Sequence, residues 1–472
     1  MAETAMTETA MAAFIDELRA ALGTAVVTGA DIPAPYRQDW SGLPSVLPVA
    51  LIRPRETDEV STALRIANRH GVTIVPQGGL TGLAGGAQPV AGGAVLSLDR
   101  MSGIEEIDPV MASITVKAGT PLEVVQKAAD DAGLFLGIDL GARGSCQIGG
   151  NLATNAGGNR VIRYGMARDH VLGLEVVLPD GTVVTTLNKL IKNNAGYDLK
   201  QLFIGSEGTL GIITRVVLRL QAKPLTVNTV FCGCRDFPAV LELLRGARAR
   251  LGPALSAFEV MWPSFYDFMT GKLSELRRPL GRPHGVYVLL EQSGFDPETD
   301  SGRLEAVMAE MLEAGIVDDA VLASSERETR DLWAVRDSVS EYGKLMGPIT
   351  AFDVGLQTDR MADVIAGIEA RYHARWPGAI LLVYGHIGDS NLHLVANVPA
   401  AGDHQPHDDI TDLVLGAVRA AGGTVSAEHG IGLLKKKYLH FTRSDAELAL
   451  MKRLKAALDP GNILNTGKVF TL

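Results

Sequence analysis

Three glycine-rich clusters in the first half of the chain set the strongest limit on what it can fold into. The first, residues 76–86, runs Pro-Gln-Gly-Gly-Leu-Thr-Gly-Leu-Ala-Gly-Gly directly after the strand-like pair Ile74-Val75. The second extends from Gly141 to Asn159 and interleaves glycine with Ser145, Gln147, Asn151, Thr154 and Asn155. The third, Gly205-Ser206-Glu207-Gly208-Thr209-Leu210-Gly211, leads into the apolar run at Ile212. With 52 glycines in 472 residues the chain exceeds the usual share of about 7%. No collagen period accounts for the excess, so these are places where backbone turns sharply or lies close against something else.

A loop as glycine-rich as residues 76–86 can point successive N–H groups at one centre, an anion nest suited to a pyrophosphate. It is neither a Walker loop, lacking Gly-Lys-Ser/Thr, nor a Rossmann fingerprint, lacking Gly-x-Gly-x-x-Gly before a helix. A flexible surface loop is the competing reading. The small polar residues of the second cluster favour a ligand, because they supply hydrogen bonds where a flat molecule meets bare backbone. Together the three loops suggest one extended cofactor carrying both phosphate and a planar ring.

Length and charge narrow the class. The length predicts about three domains, or two large ones. A net charge of −10 argues against nucleic acid, which needs a concentrated basic surface. Three cysteines, Cys146, Cys232 and Cys234, cannot build a disulfide framework and suit a reducing compartment. Cys232-Gly233-Cys234 reads as two small buried residues on one strand face, without a metal. Met1 to Ala13 carries Glu3 and Glu8 but no Lys or Arg, so it resembles neither a signal nor a transit peptide. With no run of 18 apolar residues, a soluble cytoplasmic protein is expected, peripheral membrane contact remaining open.

Between about Val46 and Leu220, strand-like runs alternate with turns and a few helices. A helix from Thr57 through Asn68 should end near Gly71, and another should open at Thr120-Pro121 and close at Gly133. Asp180-Gly181 between Leu174–Leu178 and Val183–Thr186 signals a hairpin. After Lys223, helices at 237–250, 303–314, 327–346, 361–375 and 408–421 alternate with strands at 227–232, 286–291, 349–354 and 380–384, an α+β pattern of helices on an antiparallel sheet. A last helix near Asp445–Leu458 stops at Asp459-Pro460.

Residues 149–158, Arg163-Tyr164-Gly165, residues 173–181 and the run from Asn193 to Gly211 resemble the FAD domain of vanillyl-alcohol-oxidase-type flavoproteins. The similarity is strongest to the branch of D-2-hydroxyglutarate and D-lactate dehydrogenases and extends from about Ala34 to the C-terminus. It implies an α+β fold with a two-subdomain FAD-binding domain over residues 1–222. An α+β cap or substrate domain with an antiparallel sheet and the metal site would follow at 223–430, and a C-terminal helical segment at 431–472 packing back on the FAD domain. On this resemblance Pro76, Gly78, Gly79, Leu80, Thr81 and Gly82 take the pyrophosphate. Gly141, Ser145, Cys146, Gly149, Gly150, Asn151, Thr154, Asn155, Gly157, Gly158, Glu207, Gly208, Gly211, Ile212 and Asn465 line the rest of the cofactor. Some relatives tether the flavin through a His in the first loop; this loop has none, so FAD is expected to be non-covalent.

Two short motifs carry three of the ten histidines. Tyr384-Gly385-His386-Ile387-Gly388-Asp389-Ser390-Asn391-Leu392-His393 reads as strand, tight turn and strand, which would return His393 to the neighbourhood of His386 and offer two imidazoles to one divalent ion. Glu428-His429 supplies an adjacent acid and base before another glycine turn. Buried histidines satisfied by carbonyls are the plainer alternative. The resemblance assigns His386, His393 and Glu428 as metal ligands, for Zn²⁺, with Mn²⁺ or Co²⁺ suited to the same set, and His429 as the base.

Arg336 and Ser340, four apart on an expected helix, would share a face. A surface ion pair with Asp337 or a neighbouring acid competes with substrate binding there, and the resemblance of Leu-Trp-Ala-Val-Arg to the family's substrate-arginine motif favours a bidentate grip on a carboxylate. Two positions depart from the D-2-hydroxyglutarate pattern: Ala351 where such enzymes often carry a lysine, and Val395 where an Asn is common. The expected activity is oxidation of a D-2-hydroxy acid, first D-2-hydroxyglutarate and then D-lactate or D-malate, to the 2-oxo acid. Electrons would pass to an electron-transfer flavoprotein, a quinone or a cytochrome, and a homodimer is an allowed assembly. A metal-dependent hydrolase of a nucleotide-like substrate, or a non-catalytic flavin or nucleotide binder, are the alternatives.

Overall fold

Helical spacing of apolar residues builds the first layer of structure. In the helix Thr57–His70, Val60, Ala63, Leu64 and Ala67 fall on one face and are fully buried. Gly71, at φ 65°, ends it in the left-handed conformation, and the following Val72 N–H returns to Ala67 O at 3.0 Å. The computed structural model describes residues 8–472. Glu3 and the rest of residues 1–7, part of the stretch read for targeting, lie outside the described residues. No helix among the described residues is long and apolar enough to cross a membrane.

Two compact units divide the chain, one comprising the segments that end at Gly157 and Lys223 together with Glu428–Leu472, the other Gly158–Gly165 and Pro224–Ala427. The first unit holds β1 (Val26–Val27), β2 (Leu51–Ile52), β3 (Ile74–Gln77) and β4 (Ala94–Ser97) in the order β1-β2-β4-β3, with β2, β4 and β3 parallel. It also holds β5 (Ile104–Asp108) and β6 (Ser113–Lys117), a short β7 (Leu134–Phe135), then β8 (Val171–Val177), β9 (Val183–Thr185), β10 (Ile212–Arg219) and β11 (Gln221–Ala222). These form an antiparallel sheet in the order β5-β6-β10-β8-β9 and a β7-β11 pair. The Asp180-Gly181 turn joins β8 to β9 as its sequence demands, with Gly181 at φ 84°. The Thr120-Pro121 helix spans Leu122–Asp131, and Gly133 follows at φ 73°. A Ser444/Glu447 capping box opens the last helix, Asp445–Leu458. Beyond it the chain returns to β3, where the Ile74 N–H donates to Ile463 O at 2.7 Å and the Ile74 carbonyl accepts the Asn465 N–H at 2.9 Å.

The second unit is built on one antiparallel sheet of seven strands: β12 (Thr226–Cys234), β13 (Leu255–Met261), β14 (Val286–Gly294), β15 (Asp319–Leu322), β16 (Thr350–Gly355), β17 (Ile380–His386) and β18 (Asn391–Asn397). Their order is β15-β12-β14-β13-β17-β18-β16, the α+β arrangement expected. Cys232 and Cys234 are both free and buried on β12. An aromatic core of Phe231, Tyr266, Tyr287, Tyr342 and Tyr384 backs the sheet, with Tyr266 and Tyr287 stacked at 3.8 Å.

Two expectations fail here. The single helix read over 327–346 is three pieces: Glu326–Asp337, a 3₁₀ turn at Ser338–Glu341, and Tyr342–Met346. Ser338 Oγ donates to Val335 O at 2.7 Å, a local bond that competes with the helical ladder. Ser340 therefore does not continue the helical face of Arg336. The strand β13 and the helix Pro263–Lys272 were not anticipated either, because Leu-Ser-Ala-Phe-Glu-Val-Met has no clean alternation.

Candidate active site

In the first unit the glycine clusters converge on one cleft. Its lining includes Pro76, Gly78, Gly79, Leu80, Thr81 and Gly82 from the loop after β3, then Gly149, Gly150, Asn151 and Thr154 from the short helix Ile148–Ala153 and its end. Glu207, Gly208, Gly211, Ile212, Asn465 and His429 complete the wall. Glycine is needed where these segments touch: a Cβ on Gly79 would lie 2.0 Å from Ser145 O, and one on Gly78 3.4 Å from the Gly150 Cα. Among the described residues of the lining there is no Lys or Arg, so a pyrophosphate would be met by backbone N–H groups. Gln77 Oε1, Gln147 Oε1 and Asn465 Oδ1 are buried without a hydrogen-bond partner in the protein. Such orphaned acceptors fit the hydroxyls and ring N–H of FAD.

The remaining cofactor candidates sit behind or beside this wall. Ser145 and the buried Cys146 press on Gly79 from outside the lining. Asn155, at φ 50°, accepts Arg168 N–H on Oδ1 at 3.0 Å. Gly141 lies in the loop before them without entering the cleft. Gly157 meets Glu428, whose Oε1 would be 2.5 Å from a Cβ there. Gly158 belongs to the second unit.

In the second unit a buried polar cluster replaces the looser picture drawn from spacing. Antiparallel pairing of β17 and β18, with Tyr384 opposite His393, brings the His386 and His393 rings to 5.3 Å between centroids, nearly perpendicular. The turn between them closes through Ser390 at φ 70°. Each offers a ring nitrogen within 4.8 Å of the other, a donor pair suited to Zn²⁺. Glu259, on β13, lies 2.5 Å from His386 Nδ1 through one oxygen and accepts Arg336 Nε at 2.6 Å on the other. Burial works to raise the Glu259 carboxyl, but the charges of His386 and Arg336 outweigh it and hold it below the ordinary carboxylate value. An ionised Glu259 holds a proton on His386 Nδ1, across the ring from Nε2. Arg336 is buried, stacks over Tyr384 at 4.7 Å and directs Nη2 to within 3.4 Å of that Nε2. The ion pair that Arg336 makes is a buried one with Glu259, 77 residues away in sequence, and not a pair at the surface; Ser340 donates to Glu341 at 3.4 Å.

Asp353 on β16 faces His393 across the strand pair. Its carboxylate accepts Asn391 Nδ2 at 2.7 Å and the Ala427 N–H at 3.1 Å. Glu259 and Asp353 were missed because single acids in apolar strands have no spacing signature. A charged residue inside Ser-Ala-Phe-Glu-Val-Met was the available clue, since an unpaired acid is rarely buried. Ala351 and Val395, the two departures noted above, are direct cross-strand partners.

A family described as FAD linked oxidases, C-terminal domain, matches residues 223–469, and an FAD binding domain matches residues 48–187. The chain is 42% identical over 456 residues to the mitochondrial D-2-hydroxyglutarate dehydrogenase of Bos taurus, covering 94% of this chain and 81% of the relative. It is 38% identical over 439 residues to the D-2-hydroxyglutarate dehydrogenase of Xanthomonas citri pv. viticola, covering 92% of each. The crystal structure of p-cresol methylhydroxylase with substrate bound superposes with a TM-score of 0.79 at 18% identity, covering 99% of this chain and 98% of that one, and shares the fold. Cleft, glycine loops and full-length similarity agree, and the hydrolase and non-catalytic readings fall away: the chain belongs to the FAD-linked oxidases and is an FAD-dependent dehydrogenase.

Proposed function

We propose that this dehydrogenase oxidises a D-2-hydroxy acid to the 2-oxo acid, with D-2-hydroxyglutarate the first candidate and D-lactate, D-malate or a more apolar D-2-hydroxy acid next. The observation that carries the reading is His429, an imidazole at the wall of a glycine-lined cleft suited to FAD. His386, His393 and Glu428 are the residues we assign to a divalent ion, Zn²⁺ first. When bound, FAD supplies a two-electron acceptor for the α-hydrogen and the ion a Lewis acid for the hydroxyl and carboxylate oxygens.

The chain's own residues do the rest. Neutral His429 takes the hydroxyl proton near pH 7, where an imidazole is best matched to that task. Arg336, held at Nε by Glu259, presents its guanidinium to the substrate carboxylate. Glu259 also holds a proton on His386 Nδ1. FAD is non-covalent in this reading, and the acceptor is an electron-transfer flavoprotein, a quinone or a cytochrome. Mixing the purified holoenzyme anaerobically with D- and L-2-hydroxy acids tests the proposal through bleaching of the visible flavin band. Bleaching by D-acids alone supports it and orders the substrates. A flavin that no 2-hydroxy acid reduces ends it.

A further inference from the structure

Glu207 lines the cleft, yet its carboxylate is already committed. One oxygen accepts the Ile431 N–H at 2.7 Å and the other the Gly432 N–H at 2.8 Å. These amides begin two residues after His429. Glu207 is itself firmly placed: its N–H donates to Ala153 O at 2.8 Å, and its carbonyl accepts Asn465 Nδ2 at 2.6 Å. It adopts φ 52°, uncommon for a residue with a side chain and a mark of sites where geometry serves function. Gly430, at φ 78°, presses on the clasp so closely that a Cβ there would lie 2.9 Å from the Glu207 carboxyl carbon. On the far side, Leu433 N–H reaches Ala84 O at 2.9 Å, in the loop after β3.

We propose that Glu207 is a positioning residue: its two-pronged grip on the Ile431 and Gly432 amides sets where His429 stands at the cleft wall. The inference rests on the reading of His429 as the proton acceptor. It differs from the expectation that Glu207 simply contacts the cofactor. Burial pushes the Glu207 carboxyl up, against the pull of the two N–H groups and of Lys435 and Lys468. Replacing it by glutamine keeps its size and turns one prong into an N–H facing an N–H.

The test compares the Glu207→Gln and Gly430→Ala holoenzymes with the parent by hydrogen exchange of the peptide around Ile431 and Gly432, flavin content, and steady-state kinetics on the substrate found above. The expected result is flavin retained, exchange of those amides faster by about tenfold or more, kcat lower by about 10- to 100-fold, and KM within about threefold. Unchanged amide exchange overturns the clasp. Faster exchange with unaltered kcat overturns the positioning role. Loss of flavin with turnover restored by added FAD also overturns it, assigning Glu207 to cofactor retention. A His429→Gln enzyme with full turnover sinks the base reading on its own, whatever the amides show.

Discussion

Glu259 and His386 form a buried carboxylate–imidazole pair, 2.5 Å from oxygen to Nδ1, in which the carboxylate also carries Arg336. The pair fixes the tautomer of one histidine and the position of one arginine with a single acid. Replacing Glu259 by Gln leaves Arg336 without its counter-charge in a dry setting. The expected cost is about 3–5 kcal/mol of stability, read from urea midpoints, and a 10- to 100-fold weaker hold on Zn²⁺, read by competition with a chromogenic chelator. Unaltered metal affinity would remove His386 from the ligand set.

His170 gives a pH prediction. Burial depresses its imidazole from 6.5 to about 4. The folded value lies below the unfolded one, so this residue's contribution to stability is full above pH 6.5 and is lost as pH falls toward 4. At pH 4.5 the loss should be about 2–3 kcal/mol. His170→Leu should flatten the difference in urea midpoint between pH 7 and pH 4.5; a variant as acid-sensitive as the parent counts against it.

Asn465 ties the C-terminal tail to both sides of the cleft, donating Nδ2 to Gly86 O at 3.0 Å and to Glu207 O. Asn465→Ala orphans the buried Glu207 carbonyl, at a cost of about 1–3 kcal/mol, while Gly86 O keeps Lys468 Nζ at 2.9 Å. Lower flavin occupancy after gel filtration, with a lower melting temperature, is the expected outcome.

Ala351 and Val395 face one another across β16 and β18. If the second carboxylate of a dicarboxylic substrate is met here, Ala351→Lys should raise kcat/KM for D-2-hydroxyglutarate relative to D-lactate by about tenfold or more. An unchanged ratio means that the substrate's far end lies elsewhere.

The readable parts of this fold were those whose physics is local. Glycine loops announce close backbone approach through composition alone, and most of residues 76–86, with Glu207, Gly208 and Gly211, line the cleft. The His386 to His393 hairpin was readable because a turn of small residues between alternating strands leaves few registers. Glu259 was not, since its partners His386 and Arg336 come from a strand and a helix far along the chain. The break at Ser338 was hidden because a hydroxyl bonding back to Val335 leaves no trace in apolar spacing. Glu207 was noticed in the right loop, but its carboxylate partners could not be, because Ile431 and Gly432 are more than two hundred residues away in sequence.

The tail's return to Ile74 has a consequence for how the protein is made. The first unit needs Ile463 and Asn465 to finish the edge of β3, and these are synthesised only after the whole of the second unit. The second unit is nearly continuous in sequence and can fold while its neighbour waits incomplete. Flavin capture should therefore wait until Ile463 and Asn465 have been made, and a chain stalled or clipped before Ile463 would accumulate as cofactor-free protein.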